Sequence, residues 1–339
     1  MNAFACKAAA AAMVATLGAG AWAQTPAAHA ATLYGVLDVS AGSYQRPGAQ
    51  RFFGSAGGLT PSYFGIRGSD DLGGGLRARF GLEAYVSVDT GSVGRMGGDP
   101  FWGRTAYVGL QGAFGTTLLG GLPTPLWIST RLFNPFGESE AFSPTLRQYF
   151  GAAVVGDTRW NNSVAYTSAE PEGGEGFTYN VQYNASEGAT GATGKNMGAN
   201  VLYTSGPLSA TLAWQRVRNG PTLPVGFDHQ VVYHLGASYE FAPVRLYGQV
   251  GRVRTSSATS PRTTLVQVGA VAPVGVGFLM ASVGQSKEKA NQDTTRTTYS
   301  VGYDHFLSKR TDVYTVLMHE KASRASSAST VAAGLRVRF

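Results

Sequence analysis

From Leu76 to Ala84 the chain reads Leu, Arg, Ala, Arg, Phe, Gly, Leu, Glu, Ala, so apolar residues take every second position. Arg77, Arg79, Gly81 and Glu83 take the others. A β-strand turns successive side chains to opposite faces, so this segment has one dry face and one charged face. The same period recurs along the chain and predicts sixteen strands. They begin near Thr32, Ser62, Leu76, Arg104, Thr116, Arg159, Phe177, Asn196, Leu208, Gln230, Val244, Thr263, Gly275, Thr294, Asp312 and Ser329. A single such strand fits a soluble sandwich equally well. The number of strands, and what joins them, decides.

The connections alternate between tight and long. Asp71–Gly75, Gly112–Gly115, Ser205–Pro207, Ala242–Pro243, Ala272–Val274 and Ser308–Arg310 are tight, and Glu170–Gly176 is a longer Gly- and Pro-rich one. Glycine supplies positive φ at such corners and proline presets φ. Between them lie polar stretches: Tyr44–Pro61, Asp89–Trp102, Ser186–Lys195, Asn219–His229 and Ser286–Asp293. Short turns on one rim and long loops on the other indicate an all-β, 16-stranded antiparallel transmembrane barrel of the bacterial outer-membrane kind. In lipid every backbone N–H and C=O must be paired internally, so the sheet must close. At the end of the chain Val331, Ala333, Leu335, Val337 and Phe339 alternate with Ala332, Gly334, Arg336 and Arg338, as a last strand closing onto the first would. Aromatics near strand ends (Tyr44, Phe64, Tyr107, Tyr166, Tyr203, Trp214, Tyr239, Phe241, Tyr303, Phe306) suit the two lipid–water interfaces as well as ordinary strand propensity.

Composition agrees. Charged residues are 14% of the chain, against about a quarter in soluble domains. The 46 Gly, 17 Phe and 16 Tyr exclude disorder, and after the N-terminal segment no run approaches the ~18 apolar residues of a membrane helix. Lys7, the apolar run Ala8–Ala21 and Ala21-Trp22-Ala23 read as a signal peptide over residues 1–23, with Ala28-His29-Ala30 as a second cleavage option. The barrel domain is then 24–339. Cys6 leaves with the leader, so the closed hydrogen-bond ring takes the place of disulfides. Lys7 leaves too, lowering the formal charge by one from +7. The basic excess is scattered, with no Lys/Arg run to suggest nucleic acid.

Several blocks carry a family resemblance: Thr32–Asp38, Gly65–Leu76, Arg104–Leu110, Phe114-Gly115-Thr116, Pro135-Phe136-Gly137, Asn161–Val164 and the terminal Phe339. In this order they resemble the general-diffusion porins of Gram-negative outer membranes, of the beta-proteobacterial trimeric type. The resemblance implies a homotrimer whose third external loop, here 122–156, folds inward and constricts the pore. It implies partners in outer-membrane lipid, lipopolysaccharide, and small hydrophilic solutes and ions. In that family acidic loop groups face arginines on the wall. The blocks put Arg104 and Arg159 at wall-arginine positions, and the loop offers Glu138 and Glu140, with Arg131 and Arg147. By alternation Arg67, Arg77, Arg79 and Glu83 face the lumen. Tyr63 stands where the family often has arginine, Gly120-Gly121-Leu122 where it often has Gly-Arg-Gln, and Pro135 at an acidic position. A lipid-facing Arg or Lys at the bilayer midplane costs ~2–4 kcal/mol, which turns mid-strand arginines inward.

Enzyme chemistry finds little support. His29, His229, His234, His305 and His319 read as isolated surface histidines, and no nucleophile elbow accompanies them. Metal-ligand spacing is missing apart from Asp70-Asp71 in a turn, and no cofactor is implied. Gly191–Lys195 resembles a phosphate loop, but Ala189 and Asn196 break the pattern at both ends. The expectation is a porin for passive diffusion of small hydrophilic solutes with weak anion selectivity. The alternatives are a channel specific for a small anion or organic acid, a barrel phospholipase or protease, an adhesin, phage receptor or wall anchor, and a secreted soluble sandwich.

Overall fold

The computed structural model describes residues 31–95, 98–185 and 195–339, so the leader and the Gly191–Gly194 stretch lie outside the described residues. The strands are β1 (Thr32–Tyr44), β2 (Phe52–Ala56), β3 (Tyr63–Gly73), β4 (Leu76–Tyr85), β5 (Thr105–Gly112) and β6 (Gly115–Pro123). They continue with β7 (Arg159–Thr167), β8 (Gly176–Asn184), β9 (Asn196–Ser205), β10 (Leu208–Val217), β11 (His229–Phe241) and β12 (Val244–Ser256). The last are β13 (Arg262–Val274), β14 (Gly277–Lys289), β15 (Thr294–Phe306), β16 (Thr311–Ala322) and β17 (Ala328–Arg338). Each pairs antiparallel with its neighbours in one sheet.

The sheet closes where β1 meets β17, in register from Val36 opposite Arg338 to Ser43 opposite Val331. Gly35 and Phe339 exchange two backbone hydrogen bonds of 3.1 Å there. The other edge of β1 is covered twice, by β3 over Thr32–Val36 and by β2 over Ser40–Tyr44. Thus β2 and β3 share one stave, and seventeen segments make a closed barrel of sixteen. The sequence reading had Tyr44–Pro61 as a polar loop. That is corrected: β2 is five residues long, too short to display a period.

The break in this stave is held by Asp38, which is fully buried. Its carboxylate accepts from Gly58 N at 3.1 Å, Thr60 N at 2.8 Å and the Tyr314 hydroxyl. Its own amide donates to Ser62 Oγ, which donates back to the Asp38 carbonyl. A backbone leaving the ladder needs such partners, since buried unpaired groups cost free energy.

The faces of the wall follow the expected alternation. On β11, Gln230, Val232, His234, Gly236 and Ser238 are buried inside, whereas Tyr233, Leu235 and Tyr239 lie exposed outside. Large apolar side chains such as Val108 (60% exposed) and Leu212 (58%) cover the outside, as lipid requires. Outer ring pairs at strand ends include Tyr239–Phe241 at 4.4 Å and Phe177–Tyr203 at 4.7 Å. Tyr44 is a correction to the aromatic belt. Its ring stacks on Phe142 inside the barrel, because β1 turns that position inward.

The core lies within the barrel. The long connection between β6 and β7 carries α1 (Pro125–Leu132), α2 (Pro144–Gln148) and a π-helical turn at Tyr149–Ala153. Phe136 and Phe142 pack with Leu59, Met280, Tyr314 and Val316. Leu126, Tyr149 and Val154 pack with Ala213, Val232, Val253 and Leu265. Glycines on the wall make the seat. A Cβ at Gly251 would lie 1.4 Å from the Tyr149 hydroxyl, and one at Gly284 would lie 2.6 Å from Pro144 Cβ.

Asp38→Ala leaves the buried Gly58 amide, the half-buried Thr60 amide and the buried Tyr314 phenol without their acceptor. The folded barrel should lose about 3 kcal/mol, read as a lower temperature for the folded-to-unfolded band shift in detergent gels; an unchanged shift temperature would refute the role given to Asp38.

Candidate functional site

Capping shapes the inner loop. Thr124 Oγ1 accepts from Trp127 N at 3.1 Å and Ser143 Oγ from Leu146 N at 3.3 Å, and a proline follows each cap. Asn134 then fixes the Pro135-Phe136-Gly137 corner. Its amide donates to the Thr130 and Gly137 carbonyls at 3.0 Å each, and its Oδ1 accepts from Phe136 N at 2.9 Å. Ser139 Oγ donates to the Gly58 carbonyl at 2.7 Å, tying the loop to the broken stave. Glu138 and Glu140 therefore sit on a braced turn.

Glu138 lies between two arginines, with Arg104 Nη2 at 2.8 Å and Arg131 Nη1 at 2.6 Å. Arg104 also pairs with Glu83, and its guanidinium lies 3.8 Å over the Tyr63 ring. Arg67 stacks 4.5 Å over Tyr34, whose hydroxyl donates to Glu83. The structure thus gathers Glu83, Arg104, Arg131 and Glu138 into one group of two cations and two anions. Tyr63, which departs from the family pattern, gives Arg104 an aromatic face to rest on.

The other sequence-derived residues are elsewhere. Arg79, half-buried, reaches Gln111 at 3.4 Å, and the exposed Arg77 lies 3.9 Å from Asp71 beside the tight β3–β4 turn. Arg159 donates to the Gly103 carbonyl at 2.7 Å. Its guanidinium fills the place a side chain at Gly121 would take, 2.0 Å from an ideal Cβ. The glycine at that second departure is what admits Arg159.

Glu140 belongs to a second group. Arg95 makes two bonds of 3.0 Å to Asp157 and lies 3.5 Å from Asp99. Burial works against charge on Asp157, yet the Arg95 bonds hold its carboxyl below the usual carboxylate range. Burial pushes Glu140 the other way; Arg95 opposes that shift, while Asp157 and Glu138 add to it, and the net direction is upward. In a third group Arg147 and Arg296 meet Glu320 at 2.8 Å and 3.2 Å. Burial pulls the Arg147 guanidinium down, Glu320 opposes, and Arg46 and Arg296 add to the fall. Arg46, Arg95, Glu140, Arg147 and Arg296 line one cavity of about 430 Å³ beside the loop.

Sequence reasoning missed Arg46, Arg95, Asp157, Arg296 and Glu320. Glu320 was within reach, since it shares the inner face of β16 with Asp312, Tyr314, Val316 and Met318. Arg95 lies in a loop with no period to place it. The surface reading of His234 is corrected: it is buried, 3.0 Å from the Tyr149 hydroxyl, because the inner loop covers that wall position. His229 pairs with Asp228 at 2.6 Å and His319 with Ser329 at 2.9 Å.

The profile of a Gram-negative porin matches residues 8–325 of the chain. The chain belongs to the Gram-negative porin family. This porin is 31% identical to outer membrane porin protein 32 of Delftia acidovorans, over 90% of this chain and 87% of the relative. It is 26% identical to an outer-membrane porin of Bordetella pertussis, over 91% and 94% of the two chains. The solved structure of an anion-selective porin from Comamonas acidovorans superposes with a TM-score of 0.80 at 26% identity, covering 91% of this chain and 99% of that one. The porin is an outer-membrane β-barrel that forms a channel.

Glu138→Gln removes one anion, leaving Arg131 without its carboxylate and Arg104 with Glu83 alone. The reversal potential in a KCl gradient should move toward chloride, and no movement would show that this group does not face the ion path. Glu140 has a raised carboxyl, so it neutralises before an ordinary carboxylate does as pH falls. Anion preference should therefore begin to rise at a pH above the ordinary carboxylate range, and Glu140→Gln should abolish that early rise.

Proposed function

We propose that this porin is a general-diffusion channel, with no chemistry and no cofactor, that passes small hydrophilic solutes and ions with a weak preference for anions. The cavity beside the inner loop carries the reading: Arg46, Arg95, Arg147 and Arg296 border it with Glu140. Fixed charge in a narrow aqueous gap sorts ions by sign. The preference is weak because Asp157 and Glu320 answer three of these arginines, leaving Arg46 without an acidic partner among the described residues. The loop 122–156 constricts the passage in this reading, with the Glu83–Arg104–Glu138–Arg131 group on one side. The solute-specific alternative draws on the same crowding of cations, which suits a small organic anion.

We assign the chain to a homotrimer in a membrane bearing lipopolysaccharide, exported by the leader at 1–23. A shallow apolar groove of about 570 Å³ on the outer wall, lined by Val39, Ala41, Val313, Ala333 and Leu335, supports contact with a second copy. Small residues let membrane-embedded surfaces approach closely.

Planar-bilayer recording of the detergent-purified protein tests the reading. Openings should group in threes, with ohmic current and a reversal potential on the anion side. Saturating block by one organic anion would instead favour the specific channel. A folded, heat-modifiable barrel that carries no current would refute both.

A further inference from the structure

The cavity of about 430 Å³ beside the inner loop is bordered by two charged groups of opposite sign. Arg147 and Arg296 share Glu320, and Arg46 is close enough to Arg147 to act on its charge. Three cations there meet one carboxylate, and the buried Arg147 Nε has no hydrogen-bond partner. Glu140 makes the other pole. Its carboxylate has no hydrogen bond or ion pair among the described residues. Arg95 is near it but gives its bonds to Asp157 and Asp99. The poles are joined through one residue, since Arg147 Nη1 donates at 2.9 Å to the carbonyl of Ala141, which follows Glu140.

Neither a simple anion nor a simple cation answers both poles. An anion on the arginines leaves Glu140 beside one more negative charge, on top of Asp157 and Glu138. An ammonium next to Glu140 relieves that crowding. An α-amino acid carries both charges on one carbon, with nitrogen and carboxyl carbon about 2.5 Å apart. The same cavity also offers apolar contact. Leu146 and Met318, both buried, and the half-buried Tyr44 line it, as solute sites usually combine apolar walls with a few placed polar groups.

We propose that this cavity is a subsite for a zwitterionic α-amino acid with a small apolar side chain, its carboxylate held by Arg46 and Arg147 and its ammonium by Glu140. The proposal rests on the channel reading above and names a solute class for it. An arginine fork presents paired N–H donors to a carboxylate. Arg46 has no carboxylate of its own, and Arg147 has a free Nε, so the solute need not break either bond to Glu320. Glu140 decides against a plain organic anion, because like charges brought together select against that partner.

Saturation-transfer NMR on the detergent-purified, heat-modifiable protein tests this with three probes of one skeleton. These are L-valine, isovalerate, which lacks the ammonium, and isobutylamine, which lacks the carboxylate. L-Valine should bind saturably and each of the others about ten-fold more weakly, the factor expected for one lost charge-assisted hydrogen bond. Glu140→Gln should weaken L-valine about ten-fold while isovalerate binds no more weakly than before, which shows that the cavity is intact. Arg46→Gln should weaken L-valine and isovalerate alike. Equal binding of L-valine and isovalerate to the unaltered protein would overturn the proposal in favour of a plain anion site. L-Valine binding that ignores Glu140→Gln would overturn it too. NMR reads binding whether or not the barrel conducts. Binding of L-valine without current in a planar bilayer would therefore count against the channel reading alone, and current without L-valine binding against the subsite alone.

Discussion

A peptide group surrounded by hydrocarbon has no water to bind, and this one constraint governs the rest of the molecule. It makes closure between β1 and β17 obligatory, down to the exchange of hydrogen bonds between Gly35 and Phe339. It also explains the attention given to the interrupted stave. Where the chain leaves the ladder between β2 and β3, the Asp38 carboxylate and Ser62 hydroxyl stand in for a neighbouring strand.

Closure then inverts the usual distribution of residue types. The outside must be apolar and the inside is wet, yet part of the inside wall also packs against a hydrophobic core. The loop between β6 and β7 brings Leu126, Phe136, Phe142 and Tyr149 against inward Val232, Val253, Leu265 and Val316. Where the loop packs, the wall offers glycine at Gly251 and Gly284 and aliphatic side chains at Val232, Val253 and Leu265, and elsewhere it offers charge at Glu83, Arg104 and Glu320. The charged remainder meets the loop's own Glu138 and Arg147, so the same segment that fills the barrel also answers the charge on its wall.

The strands were legible because period two persists over eight or more residues on both sides of nearly every turn. The start of β4 at Leu76, β10 at Leu208 and β12 at Val244 coincide with the sequence expectation. Illegible parts have a common cause. The five residues of β2 and the partners of Arg95 depend on contacts between segments far apart in the chain, and no local period records those. Arg104, Arg131 and Glu138 could be named from the family resemblance. The resemblance could not say that they neutralise one another, nor that Arg159 is held by a backbone carbonyl. His234 looked solitary because its neighbour, Tyr149, is 85 residues away.

The glycine seats have a mechanical consequence. Tyr149 and Pro144 rest where Gly251 and Gly284 leave no room for a Cβ, so the loop is keyed into the wall rather than laid upon it. Swinging it aside would bare Leu126, Phe136, Phe142 and Tyr149 to an aqueous lumen, at roughly 1.5–3 kcal/mol for each large apolar side chain. A hinge needs a shallow energy profile, and this segment sits in a deep one. In the general-diffusion reading proposed above, the barrel is therefore a sieve of fixed mesh, whose opening the inner loop does not vary.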